Sequence, residues 1–321
     1  MDNQNKNLIL ATVLSALVLF VWTYFFPAEQ VAPPQGTTVS DQAATPTAPN
    51  VTPTENAVAA ATADAGLTEA ATQSELAQAP RVSVETPELT GSISLLGGRF
   101  DDLSLKSYKE TLDAGSPLVR LLAPTGGTEL NAAKPYYAVY GWLPTAGLDP
   151  ALLPGPRTLW SVESGSVLTP DTPITLLWDN GAGLIFRREI SVDADFMFTV
   201  TQSVENTTAT ALRLAPYGIV ARHGIPETNR VYVLHEGAVR MSDGELQEIK
   251  YDNVTDIDPV EGEGQAEKIA VLESGWAGFT DKYWMTTLIP SGAFTSVVKY
   301  VAGADIYQTE ARLPAMDVAP G

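Results

Sequence analysis

The 321-residue sequence contains no cysteine and only two histidines, His223 and His235. The absence of cysteine excludes disulfide bonds, thiolate catalysis and cysteine-ligated metal centres. The two histidines lack the close spacing of a metal-binding pair, so we expect structural or surface positions for both. The sequence also has no glycine-rich phosphate loop, nucleophile elbow or EF-hand loop. No residue therefore stands out from these patterns as a catalytic group, a cofactor ligand or a metal ligand.

Basic residues are scarce as well. The sequence has 19 Lys and Arg against 38 Asp and Glu, which gives a formal net charge of −19. Such a charge repels nucleic-acid phosphates, so nucleic acid is excluded as a partner. Residues 27–80 contain six acidic and no basic residues, so residues 81–321 keep a net charge of −13. The acidic stretch at 252–267 has no calcium-ligand spacing, and we expect a solvated loop there.

One long uncharged apolar run is present, at residues 8–26. As a helix, these 19 residues would be about 28 Å long, close to the thickness of the bilayer core. Aromatic residues lie at its C-terminal end and Pro27 follows it, as expected where a helix leaves the membrane. Lys6 precedes the run, and the next basic residue is Arg81. The positive-inside bias therefore predicts a cytoplasmic N-terminus at residues 1–7 and an extracytoplasmic location for everything after residue 26.

The apolar run is too long for the core of a cleaved signal peptide and lacks a small-residue cleavage site, so we expect a permanent anchor. Residues 27–80 are rich in Ala, Thr, Pro and Gln and contain no aromatic residue. Such a composition cannot bury a core, which predicts a disordered tether. A flexible coil of this length has an end-to-end distance on the order of 40 Å.

From residue 81 onward the apolar period is two, which is typical of strands. Ile93 and Leu95 before Gly97 and Gly98, and Leu103 and Leu105 after them, predict one hairpin. Residues 184–192 and 196–204 predict another, with a turn at 193–195 and with Phe196, Phe198, Val200 and Val204 on one face; only Arg188 interrupts the apolar face of its first strand. Further strand-like runs occupy residues 212–220, 231–234, 269–271, 276–289 and 296–301. No amphipathic helix is evident, so we predict an all-β fold, a large many-stranded β-sandwich formed by residues 81–321.

Aromatic residues are the remaining candidates for a binding surface. They lie at positions 136, 137, 140, 142, 276, 283 and 284. They could line a groove for a sugar or a peptide, but alternation along strands favours the core for most of them.

Four blocks of the sequence resemble the periplasmic domain of the YidC membrane protein insertase family of Gram-negative bacteria. They are residues 108–113 (YKETLD), 117–122 (PLVRLL), 135–142 (PYYAVYGW) and 275–290 (GWAGFTDKYWMTTLIP). The N-terminal MDNQN before a single apolar run is also similar to this family. The resemblance covers the whole chain except the tether.

The resemblance implies an inner-membrane insertase and chaperone that inserts and folds membrane proteins, alone or with the Sec translocase. The partners it implies are SecYEG, SecD, SecF, nascent membrane-protein segments and the lipid bilayer, with no cofactor. It also implies no covalent chemistry, so we assign no catalytic, cofactor-binding or metal-binding residue and expect a protein that is not an enzyme. It also implies a mutarotase-like supersandwich for the periplasmic domain, which acts in docking or spacing. The family's insertion activity resides in later membrane helices with a groove arginine. This sequence ends before any second apolar run, so we expect a fragment whose sandwich is incomplete at its C-terminus.

An alternative is a stand-alone, membrane-tethered periplasmic protein that binds carbohydrate or acts as a mutarotase. Such an enzyme needs a histidine and a carboxylate positioned in one cleft. A spacer that only associates with the Sec translocase is a third possibility.

Overall fold

A computed structural model of the protein describes residues 75, 78–125, 134–145, 147–226 and 234–321. Within these ranges the chain forms twenty strands, one short helix and two 3-10 turns. The strands are β1 Arg81–Glu85, β2 Leu89–Ser94, β3 Arg99–Lys109, β4 Leu118–Leu122, β5 Tyr136–Pro144, β6 Ser161–Ser164, β7 Val167–Leu168, β8 Ile174–Asp179, β9 Leu184–Val192, β10 Phe198–Asn206, β11 Leu212–His223, β12 Gly237–Ser242, β13 Glu245–Lys250, β14 Pro259–Val260, β15 Gly264–Val271, β16 Gly275–Thr280, β17 Met285–Leu288, β18 Phe294–Val301, β19 Ile306–Arg312 and β20 Met316–Val318. The helix α1 is Tyr251–Val254, and the 3-10 turns are Pro150–Leu152 and Ala302–Ala304.

The strands form one large sheet and two small ones. The large sheet has the order β14-β15-β18-β19-β11-β5-β3-β2-β1-β7, with β4 paired to β3 and β20 paired to β11. The small sheets have the orders β10-β9-β8-β6 and β13-β12-β16-β17. The described pairs are antiparallel except β1 with β7. The predicted all-β class is confirmed.

The larger of two apolar clusters among the described residues joins all three sheets. It contains Ala138 and Val220 from the large sheet, Phe186 and Ile190 from one small sheet, and Phe279 from the other. Both small sheets therefore pack against the large sheet and make a sandwich. The alternation of apolar and polar residues read from the sequence places these side chains on the inner faces.

The two predicted hairpins are confirmed. β2 pairs with β3 across Gly97 and Gly98, and β9 pairs with β10 over their whole length. One detail was wrong. Phe196 belongs to the turn, which extends to residue 197, and its side chain is exposed because β10 begins only at Phe198.

The prediction of a solvated loop at 252–267 is wrong. This stretch contains most of α1, the strand β14 and the start of β15. Glu263 is only 2% exposed, and its carboxylate binds the Arg312 guanidinium at 2.7 and 2.9 Å. Lys268 and Lys299 lie 3.3 and 3.9 Å from the same carboxylate. A count of charges cannot show which carboxylate turns inward to meet a cation from a distant strand.

Several predicted segments lie outside the described residues. They are the cytoplasmic N-terminus at 1–7, the transmembrane helix at 8–26, the tether at 27–80 apart from residues 75 and 78–80, and positions 231–233 of the predicted strand at 231–234. In the part of the chain that the structure describes, no helix has the length and hydropathy required to cross a bilayer.

Candidate functional site

A pocket lies beside the point where β3 and β5 meet. The two strands pair at one position only, Phe100 with Ala138. The pocket is small and partly open to solvent, with a cavity volume of about 20 Å³. Its lining includes Arg99, Tyr140, Trp160, Arg188 and Tyr217, and we call this site the arginine pocket.

Arg188 comes from β9, in a different sheet from β3 and β5. Its Nη1 donates to the carbonyl oxygen of Gly98 at 2.8 Å, and its Nη2 donates to the carbonyl oxygen of Tyr140 at 2.6 Å. The guanidinium carbon lies 4.7 Å from the centre of the Trp160 ring. Gly98 has a φ of +58°, and a Cβ atom there would overlap Arg188. Any other residue at this position would have to displace the guanidinium, which bridges the hairpin loop and β5.

The charge of Arg188 has no carboxylate bound to it among the described residues. The side chain is 1% exposed, and its hydrogen bonds to Gly98 and Tyr140 both go to neutral carbonyl oxygens. Burial lowers the pKa of Arg188 to about 10, and the phenol groups of Tyr140 and Tyr217 oppose that shift. Arg188 is thus still charged at neutral pH. A buried cation without a countercharge is costly, which favours the approach of an anion.

Two more buried donors line the pocket. Arg99 is 3% exposed, and its guanidinium carbon lies 4.3 Å from the centre of the Tyr137 ring. Within the described ranges, Arg99 Nε, Trp160 Nε1 and Arg188 Nε have no hydrogen-bond acceptor. A buried donor left without an acceptor costs roughly 1–3 kcal/mol. These three N–H groups are enclosed by protein atoms and are not accessible from the pocket.

Neither histidine belongs to this pocket. His223 Nε2 lies 3.2 Å from the Tyr137 hydroxyl oxygen, and His235 Nε2 lies 3.1 Å from the Ala238 carbonyl oxygen. Burial lowers the pKa of His223, and the charge of Arg99 acts in the same direction. The pocket lining contains no carboxylate either. The combination of histidine and carboxylate that a mutarotase requires does not occur in this lining. Among the described residues, no group of three His, Asp or Glu side chains could hold a metal ion.

The aromatic candidates have separate positions. Tyr136, Tyr137 and Trp142 are buried, as the alternation predicted. Tyr140 lines the arginine pocket. The remaining three are Trp276, which is partly buried, Tyr283, which is 73% exposed, and Trp284, whose ring centre is 4.7 Å from that of Tyr108.

Two of the sequence blocks that carry the family resemblance meet in a second polar cluster. Arg222 Nη1 binds the Asp281 carboxylate at 2.6 Å, and the guanidinium carbon lies 4.5 Å from the centre of the Tyr136 ring. Asp281 belongs to block 275–290 and Tyr136 to block 135–142. This contact joins the edge of one small sheet to β5 and β11, so the two blocks have a shared structural role.

Sequence reasoning did not identify the arginine pocket. The one signal available was Arg188, a charged residue on an otherwise apolar strand face. Its acceptors are 90 and 48 residues away in the sequence, so the pattern could not show them.

Comparison with known proteins identifies the chain's relatives. The model of the YidC periplasmic domain family matches residues 81–321. "Membrane protein insertase YidC" of Paracoccus denitrificans is 53% identical over 345 residues, and the protein of the same name from Dinoroseobacter shibae is 56% identical over 325. These alignments cover 100% of this chain, and 53% and 52% of the two relatives. The chain thus spans about half the length of the curated relatives it matches.

Proposed function

Because the chain belongs to the YidC membrane protein insertase family, we propose that it is the anchor and periplasmic domain of an inner-membrane insertase. The observation that carries this proposal is the match of residues 81–321 to the family's periplasmic domain. Two relatives that are 53% and 56% identical to this chain, in alignments that cover all of it, support the same proposal. In this proposal residues 1–7 are cytoplasmic, 8–26 cross the membrane, 27–80 form the tether and 81–321 form the periplasmic domain. The role is the insertion and folding of membrane proteins without covalent chemistry.

The physical logic follows from the cost of placing polar groups in lipid. A polar backbone or side-chain group without a partner costs several kcal/mol in the hydrocarbon core. An insertase lowers this cost by offering the entering segment a protein surface next to the bilayer. The apolar run at 8–26 would contact such a segment within the membrane, and the tether would let the sandwich follow its periplasmic part.

Capture of a substrate tests this function. A photo-crosslinking amino acid at Leu19, inside the predicted span, should capture a ribosome-stalled inner-membrane protein whose first apolar segment has just emerged. The same probe at Gly115, in an exposed turn, serves as the control. If only Gly115 captured the stalled chain, or if neither position did, the insertion role would be contradicted.

The proposed topology has an independent test, because the chain is naturally free of cysteine. A single cysteine at position 115 should react with a membrane-impermeant maleimide in intact spheroplasts, and one at position 5 should react only after lysis. The reverse pattern would contradict a cytoplasmic N-terminus.

We further propose that the sandwich docks onto the periplasmic side of the Sec translocase, through SecD, SecF or SecYEG. The acidic net charge of residues 81–321 supports a partner with a basic periplasmic surface. Photo-crosslinkers at Leu112, Leu246 and Tyr283, which are exposed in different parts of the fold, should capture a Sec subunit from at least one position. Buried Ile93 is the matched position that should capture none. Failure at all three exposed positions, in cells where the complex is present, would reject the docking role.

A further inference from the structure

The strand β10 forms a long open edge of the sandwich. It has nine residues and pairs with β9 along one side, and its other side has no partner strand in the part of the chain that the structure describes. The other strands at the ends of the three sheet orders are shorter: β7 and β14 have two residues each, β6 and β17 have four, and β13 has six, of which three are charged. Natural edge strands are commonly protected by shortness, by Lys or by Pro. β10 is long and contains no Lys, Pro or Gly.

The pairing of β10 with β9 shows which of its backbone groups lie on the open side. Just before β10, the Asp193 N–H donates to the Met197 carbonyl oxygen at 3.0 Å, so the odd-numbered residues of β10 bond to β9. In an antiparallel pair, residues that bond to the partner strand alternate with residues whose backbone groups point away from it. The even-numbered residues of β10 therefore point away from β9. The bond from the Gly321 N–H to the Asn206 carbonyl oxygen, at 3.0 Å, agrees with this direction.

The open side of β10 is incomplete in hydrogen bonding and in packing. Within the described ranges, the backbone N–H and C=O groups of Val200, Gln202 and Val204 have no partner. The side chains of Val200 and Val204 are only partly buried, whereas those of their β9 partners Ile190 and Phe186 are 0% exposed. β9 has a neighbouring strand on both sides and β10 on one side. A further strand next to β10 would satisfy the free backbone groups and complete the cover of its inner side chains.

We propose that the outward side of residues 198–204, which we call the β10 edge, binds an extended polypeptide as an added β-strand. The backbone of a second strand offers donors and acceptors that alternate at the spacing this edge presents. The side chains on the outer face of β10 include Thr199, Thr201 and Ser203, which are exposed and uncharged. Recognition through the β10 edge therefore depends on the backbone and places little restriction on the sequence of the bound segment.

The source of the polypeptide rests on the proposed function, whereas the strand chemistry rests on the geometry alone. An insertase meets the periplasmic segments of many membrane proteins, and these differ in sequence and are unfolded when they leave the membrane. Recognition through the backbone suits such partners, because the alternating N–H and C=O groups are the same in every sequence. A second copy of this chain offers the same strand chemistry, so the experiment separates the two sources.

The chain provides a matched pair of proline variants. Val200→Pro removes an N–H that points away from β9 and leaves the hydrogen bonds between the two strands in place. Glu248→Pro in β13 is the control. The two-residue turn between β12 and β13 makes Ser242 and Glu245 a hydrogen-bonded pair, so the Glu248 N–H also points away from its partner strand. Unfolding midpoints show whether each variant is folded.

The experiment measures binding of a fluorescein-labelled peptide, Thr-Val-Thr-Val-Thr-Val-Thr, to the full chain in detergent by fluorescence anisotropy. A peptide of the same sequence with three consecutive N-methylated residues should bind at least about tenfold more weakly, because both of its edges lose N–H donors. This comparison uses the unaltered protein, so it decides the question even if a variant fails to fold. Val200→Pro should weaken binding of the unmethylated peptide about tenfold, and Glu248→Pro should leave it within about twofold.

Three results would overturn the β10 edge as a binding site: no binding of the unmethylated peptide, equal binding of the two peptides, or equal binding by two folded proline variants. A concentration-dependent dimer that Val200→Pro dissociates would show that a second copy occupies the edge. Binding to this chain but not to the native protein that contains it would show that the edge is already occupied there. Either result would overturn the proposed polypeptide source.

A crosslinking readout separates this proposal from the insertase function. A photo-crosslinking amino acid at Thr201, whose side chain is exposed on β10, should capture the stalled membrane protein once its periplasmic segment has emerged. Capture at Leu19 without capture at Thr201 would reject the β10 edge and leave the insertase function standing. Normal peptide binding without any capture at Leu19 would contradict the insertase function and support the β10 edge.

Discussion

Replacement of Glu263 by Gln tests the structure most severely, because it removes one charge from a buried ionic network. Gln has nearly the same volume as Glu, so packing is preserved. The Glu263 carboxylate receives two hydrogen bonds from Arg312, at 2.7 and 2.9 Å, and lies 3.3 Å from Lys268. The variant leaves the positive charges of these neighbours with less compensation inside the protein.

The expected loss of stability follows from burial. Removal of one partner from a buried ion pair costs roughly 3–5 kcal/mol, because the remaining charge stays desolvated. Glu310 binds Arg312 Nη2 at 2.6 Å and still neutralises part of its charge, so we expect the free energy of unfolding to fall by about 3 kcal/mol. Urea unfolding should show this loss as a fall of about 1 M in the midpoint, for an m-value of about 3 kcal/mol/M.

Glu205→Gln is the matched control. The Glu205 side chain is 43% exposed and pairs with Arg187 at 2.9 Å on the surface. An exposed pair contributes between about 0 and 1 kcal/mol, so this variant should unfold at a urea midpoint close to that of the parent protein. Equal effects of Glu205→Gln and Glu263→Gln would refute the claim that burial controls the energy of the network.

The pH dependence gives a second readout on the same variant. Burial alone would raise the pKa of Glu263, but the hydrogen bonds and charge of Arg312, with Lys268 and Lys299, outweigh it and lower the pKa below 4.5. A lowered folded-state pKa means that the ionised carboxylate stabilises the fold above about pH 4.5, and that this contribution is lost as the pH falls through the folded-state pKa. The difference in free energy of unfolding between the parent protein and Glu263→Gln should therefore narrow below pH 4.5. A difference that stayed constant down to pH 3 would contradict the assignment.

Three further predictions concern other parts of the fold. Gly278→Ala should destabilise the β16–β17 hairpin by roughly 1–3 kcal/mol in the urea assay, because the added Cβ would lie 2.7 Å from Thr287 Cα. Gly115→Ala, whose added Cβ would have no atom within 4 Å, should change stability by less than about 0.5 kcal/mol. Asp281→Asn should cost roughly 2 kcal/mol by thermal unfolding, since it leaves the partly buried Arg222 without its carboxylate, and an unchanged midpoint would contradict this. NMR titration of the His223 ring should give a pKa below 6.5, because burial and Arg99 disfavour the charged form; a value at or above 6.5 would refute this environment.

The class of the fold and its local pairings were accessible from sequence, because they depend on alternation within short segments. The β9–β10 hairpin is the clearest case, since its apolar residues alternate on both strands around an Asp-rich turn. The turn boundary was less accessible. Asp193 accepts hydrogen bonds from the backbone N–H groups of Asp195 and Met197, which extends the turn and leaves Phe196 outside the strand.

The charged interior was not accessible, because its contacts join residues far apart in the chain. Glu263 and Arg312 are 49 residues apart, so no local pattern could link them. Arg188 was noticed as an interruption of an apolar face, yet its role depends on two carbonyl groups from the large sheet. Long-range partners of this kind follow from the sheet order, which alternation does not specify.

The proposed insertase role is tested most directly by depletion of the native protein that contains this chain. The readout is the insertion of a single-span inner-membrane reporter, measured by protease protection in spheroplasts. Our account predicts that the periplasmic part of the reporter is not exported after depletion. Insertion of the reporter should be restored by expression of the full-length protein with an intact span at residues 8–26. Normal insertion after complete depletion would contradict the account.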